Sequence, residues 1–128
     1  MDYFSEIERK YNVKQNEVCK KYGTEFVEAP FNKLIGVATQ TFTKDNFPVN
    51  GLRHPPQSEH STNWYVWCGD YSPSPDFFKP IHVHHLLERY PKVLDYLGLP
   101  PGWRFLFAPD YEDVWYDEEL LKIGPLPR

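Results

Sequence analysis

The chain has 128 residues, 41% hydrophobic and 17% aromatic, which suffices for one compact domain over residues 1 to 128 that buries roughly two-thirds of its unfolded surface. A formal charge of −4 argues against nucleic acid as a partner, because neutralising phosphate needs a clustered basic surface. The longest apolar run falls far short of the ~20 residues that cross a bilayer, and the opening MDYFSEIERK has no apolar signal core, so a soluble cytoplasmic protein without a membrane partner is expected.

Residues 1 to 24 read as an amphipathic helical region. Phe4, Ile7, Tyr11, Val18 and Tyr22 recur at helical spacing, Ser5 with Glu8 has the form of a capping box, and Gly23 is a natural stop. A break is expected near Asn12 and Val13. The next segment, Leu34 to Phe42, is uncharged and β-branched, which predicts a strand with Ile35, Val37, Thr39 and Thr41 on one face. Gly36 marks a bulge or a close approach. From Thr43 to Thr62 the chain is polar and broken by Pro48, Gly51, Pro55 and Pro56, and it reads as a long loop of the kind that carries function.

Trp64 to Cys68 alternates as a strand with both faces covered, the mark of a central position. The loop SPSPDFFKP leads into HVHHLLERYPKVLDYLG, where Val83, Leu86, Leu87, Tyr90, Leu94 and Leu97 share one helical face. Proline is excluded from helix interiors, so Pro91 splits this stretch into two short helices, the second ending at Gly98. The rigid turn Pro100-Pro101-Gly102 delivers Trp103 toward the core. Trp103 to Ala108 and Glu112 to Asp117 then form an antiparallel pair across Pro109-Asp110, followed by a helical turn in EELLKIG. The predicted fold is α+β: an antiparallel sheet of about four or five strands packed against an N-terminal helix and a pair of short helices.

Few residues suggest chemistry. Cys19 and Cys68 form no CxxC pair and read as reduced thiols, and Cys68 continues an apolar strand, where it packs as a small hydrophobe. His82, His84 and His85 are close in sequence, with Asp70, Asp76 and Glu88 as candidate oxygen donors, but HExxH is absent. Histidines at a helix start are more often held by local hydrogen bonds, so no metal and no cofactor is expected. If one were bound, His82 and His85 would hold it. Glu112 and Asp113 are adjacent on a strand and so point to opposite faces, which prevents them from sharing one substrate. No GxGxxG, GxxxxGK[ST] or GxSxG occurs, and no catalytic residue is assigned.

Charge is distributed unevenly. Arg9, Lys10, Lys14, Lys20 and Lys21 lie early, whereas Asp110, Glu112, Asp113, Asp117, Glu118 and Glu119 lie late with no basic residue among them. An acidic arc interleaved with Tyr111 and Trp115 suits a basic protein partner, since recognition draws on aromatic anchors and complementary charge.

The segments GVATQTF, PVNGLRHPP, WYVWCG, DFFKPIHVHHL and LGLPPGWRFLFAPDYEDVWYD together resemble the bacterial immunity protein thirty-three-like group, from about Leu34 to Leu120. Residues 1 to 24 fall outside that resemblance. It implies a non-enzymatic protein of a polymorphic toxin system that binds and neutralises a cognate protein toxin. The contact residues expected on that reading are Asp110, Tyr111, Glu112, Asp113, Trp115 and Glu118, with Arg53 and His54 of the Pro48 to Pro56 loop second. Two other readings stay open: a small metal-dependent or acid-base enzyme centred on His82 and His85, and an interaction domain with no toxin partner.

Overall fold

The structure, a computed structural model, describes residues 3–122, with side chains from Ser5 onward. It begins with helix α1 (Tyr3–Lys21), which runs unbroken through Asn12 and Val13; the Asn16 side chain donates back to the Asn12 carbonyl at 2.9 Å within the continuous helix. Ile7, Tyr11, Val18 and Tyr22 pack against the core, while the expected role of the Phe4 side chain falls outside the described residues. Because α1 starts at Tyr3, Ser5 lies inside its first turn and is no N-cap. Glu8 turns outward from the helix and accepts the Phe31 backbone N–H at 2.8 Å. The helix stops at Gly23, whose φ of +74° is the left-handed conformation glycine adopts freely. Two bonds, Thr24 N–H to the Cys19 carbonyl and Gly23 N–H to that of Lys20, close it in a Schellman pattern.

Six strands form a single sheet: β1 (Leu34–Val37), β2 (Val49–Arg53), β3 (Ser61–Cys68), β4 (Lys79–His82), β5 (Trp103–Ala108) and β6 (Tyr111–Tyr116). Their order is β4-β1-β3-β2-β5-β6. All neighbours are antiparallel except β1 and β3, which run parallel with a register irregularity between Leu34 and Gly36. Gly36 also lies under Tyr65, where an added Cβ would stand 2.7 Å from the ring, so a bulge and a close approach coincide there. The class is α+β, and the fifth and sixth strands lie in stretches read as loops: β2 within Thr43 to Thr62, and β4 at the end of the second Pro-rich segment.

The strand expected over Leu34 to Phe42 stops at Val37, and Thr39–Thr41 form a 3₁₀ turn. Thr41 Oγ1 donates to the Ala38 carbonyl at 2.6 Å and accepts the Cys68 N–H at 2.9 Å, a local alternative to ladder bonding. After β4, Val83–His85 form another 3₁₀ turn, followed by two four-residue helices, α2 (Leu86–Arg89) and α3 (Pro91–Leu94), divided at Pro91 as the sequence predicts. A last 3₁₀ turn covers Glu118–Lys122; Ile123 and Gly124 of the expected C-terminal turn lie outside the described residues.

One sheet face carries the main core. Ile35, Val37, Trp64, Val66, Phe105 and Phe107 project from it toward Val83, Leu86, Leu94 and Leu97, all buried. Trp64 is fully enclosed and its indole N–H donates to the Leu97 carbonyl at 3.0 Å. Gln15 Nε2 reaches the Leu94 carbonyl at 2.8 Å and Cys19 Sγ the Gly98 carbonyl at 3.3 Å, which ties α1 to the turn after α3. Both cysteines are free, and burial pushes both thiols up to about 11, far from the thiolate form at neutral pH.

Candidate functional site

Side chains on a strand alternate between faces, so the ladder registers decide which of the expected contact residues share a surface. Tyr111, Asp113 and Trp115 of β6 point away from the main core, and Glu112 points toward it. Opposite them on the outer face stand Leu106 against Asp113 and Arg104 against Trp115, continued by Asn50 and Leu52 of β2 and by Tyr65 and Trp67 of β3. This second face has two partial covers. Phe77 and Phe78 pack on Trp67 at one side. At the other, the Leu120 backbone in the Glu118–Lys122 turn comes back beside His54. Between them Asn50, Leu52, Arg104, Leu106 and Trp115 remain partly exposed.

Arg104 joins the acidic segment to this surface. Its guanidinium lies 5.3 Å from the centre of the Trp115 ring, and Nη1 bonds Asp117 at 3.2 Å. Stacking of this kind contributes about 0.5–1 kcal/mol at a partly exposed site and fixes the indole plane. Arg104 was absent from the sequence-based candidates, although pairing Trp103–Ala108 with Tyr111–Tyr116 across a two-residue turn carries the register that sets it opposite Trp115.

The acidic arc is partly neutralised. Glu112 pairs with Lys21, Asp117 with Arg104, and Glu119 with Lys122. Asp110, Asp113 and Glu118 are exposed and have no ion pair among the described residues. Tyr111 is 57% exposed beside them.

Glu112 and Arg53 have internal partners. Glu112 accepts the Tyr22 hydroxyl at 2.5 Å, the Tyr96 hydroxyl at 2.6 Å and Lys21 Nζ at 3.0 Å, which fastens β6 to α1 and to the end of α3. Burial alone would raise its carboxyl, but these donors outweigh it and hold the group at about 2. Arg53 is buried on the helical side and donates to the carbonyls of Val27, Glu28, Thr62, Leu97 and Leu99 at 2.8–3.3 Å. Burial lowers its pKa to about 10, still protonated at neutral pH. His54 projects to the outer face, edge-on to Tyr65 at 5.6 Å; burial and the nearby Arg104 charge lower its pKa, which favours the neutral ring.

The histidines converge at the opposite end of the sheet. His82 ends β4, His84 and His85 occupy the following turn, and their ligand nitrogens all lie within 4.8 Å of one another. His82 and His84 stack with centroids 5.5 Å apart, and His84 to His85 is 4.4 Å. The candidate oxygen donors are outside this group: Asp76 accepts from Ser74 at 2.6 Å, Asp70 is exposed elsewhere, and Glu88 acts on His84 only electrostatically.

A family model for the Imm33-like domain matches residues 14–117, from the middle of α1 to the end of β6. The chain belongs to the Imm33-like family. The Imm33-like match begins well before Leu34 and so includes the Gln15 and Cys19 contacts that tie α1 to the core. Comparison with curated proteins and with solved structures finds no match in either. Among the described residues no helix is long and apolar enough to cross a membrane.

Proposed function

We propose that this Imm33-like protein is a non-enzymatic immunity protein that binds a cognate protein toxin domain in the cytoplasm and neutralises it. The observation that carries the reading is the family match across most of the chain, a family named for immunity proteins. The partly open outer face supplies what such binding needs: a rigid sheet, an aromatic anchor held in place, and surrounding charge. Trp115, clamped by Arg104, is the anchor, with Tyr111, Asp113, Asp110 and Glu118 around it and His54 at the far side. Glu112 and Arg53 contribute by holding the scaffold. A toxin surface rich in lysine and arginine fits the three unneutralised carboxylates.

Co-expression with its cognate toxin domain should restore growth of a sensitive host, and purified toxin should form a stoichiometric complex. Failure of both would remove the immunity reading. Reversing Asp113 and Glu118 to lysine should weaken the complex by at least about tenfold at low salt, because like charges then face each other. Unchanged affinity in a variant that melts like the parent would exclude this face as the contact.

A further inference from the structure

We propose that His82, His84 and His85 form a surface site for one late first-row divalent metal ion of the zinc class. Neutral imidazole is a preferred ligand for such ions, and three protein nitrogens with water in the remaining position make a complete tetrahedral shell. The fold brings the three rings together: His82 ends the edge strand that pairs with β1 opposite Leu34, and the 3₁₀ turn places His84 and His85 beside it. Their ligand atoms, within 4.8 Å of one another, have to close to about 3.3 Å for bonds of about 2.0–2.1 Å. His82 and His85 are exposed and His84 is half-buried, so the outer two rings have room to turn toward His84.

His85 Nδ1 accepts the His82 backbone N–H at 3.2 Å, so coordination through Nε2 requires Nδ1 to take the proton and give up that bond. This is a long, exposed hydrogen bond of the kind worth about 1 kcal/mol or less. A coordinate bond more than offsets it. Glu88 adds negative potential near His84 without lying among the ligand atoms.

The test uses tag-free, chelator-treated full-length protein titrated calorimetrically with Zn²⁺ at neutral pH, with Co²⁺ absorption as a reporter of nitrogen coordination. Expected are one ion per chain, loss of affinity by roughly tenfold or more in His82→Ala, His84→Ala and His85→Ala each, and no change in His60→Ala, an exposed histidine outside the cluster. All three positions lie at the surface, and circular dichroism will show that each variant keeps the fold. Absence of stoichiometric binding, or equal affinity in all the single variants and the parent, would overturn the site. Equal affinity in urea-unfolded protein would also overturn it, since the β4 to 3₁₀ junction, and not the local HVHH sequence, assembles the site. Toxin binding is not a readout, so failure here leaves the immunity reading untouched.

Discussion

Two charged residues hold the scaffold through several hydrogen bonds each. Arg53 is a buried cation satisfied by five backbone carbonyls, with its guanidinium 5.7 Å from the centre of the Trp64 ring. A planar fork reaches several acceptors at once, whereas an ammonium does not. Arg53→Met should therefore cost more than about 3 kcal/mol in urea unfolding, and Arg53→Lys should recover only part of it. A loss below 1 kcal/mol, the net worth of about one ordinary hydrogen bond, would contradict this role. Glu112 gives a pH-dependent contribution. Its folded pKa of about 2 lies below the unfolded value of 4.5, so its stabilisation is fully present above pH 4.5 and lost as pH falls toward 2. Glu112→Gln should flatten the decline in urea midpoint between pH 6 and pH 3. A parallel decline in both proteins would show that other carboxylates dominate acid unfolding.

At the scale of elements, β2 explains what could be read in advance and what could not. Strands with alternating or fully apolar residues, Trp64 to Cys68 and Trp103 to Ala108, were legible from period alone, as was the division of the helices at Pro91. The inward positions of β2 are Val49, Gly51 and Arg53, and two of those three carry no apolar signal. Position 51 faces inward, and the Phe105 ring occupies the space that a Cβ there would need. Gly51→Ala should destabilise by about 1–3 kcal/mol through overpacking, and Phe105→Leu in the same chain should relieve part of it. Additive losses in that double variant would refute the steric account. β4 was hidden for another reason, being a short edge strand with Pro80 and two more exposed positions. Of the contact residues, the opposed directions of Glu112 and Asp113 followed from strand period. The Arg104 clamp follows from the hairpin register once that pairing is drawn, whereas the burial of Arg53 depends on which distant strands and turns become neighbours, and local sequence does not encode that.

Across the whole molecule, charge is arranged by location. Lys21, Arg104 and Lys122 neutralise three of the late acids, while Asp110, Asp113 and Glu118 have no ion pair among the described residues. An exposed field of this kind acts on encounter more than on final affinity. Association with a basic partner should thus slow steeply as salt rises past the range where the screening length shrinks to about 10 Å, with a smaller change in dissociation. Equal sensitivity of both rates, measured by stopped flow, would argue against electrostatic steering.

The acids on β6 have one more effect. As the outermost strand, β6 presents an unbonded row of amides and carbonyls along YEDVWY, a template onto which another copy of the chain can add. The carboxylates at Asp110 and Asp113, unpaired among the described residues, make such stacking repulsive, and Pro80 blunts the opposite border of the sheet by removing a donor. The same negative charge therefore also opposes growth of the protein into fibres of itself.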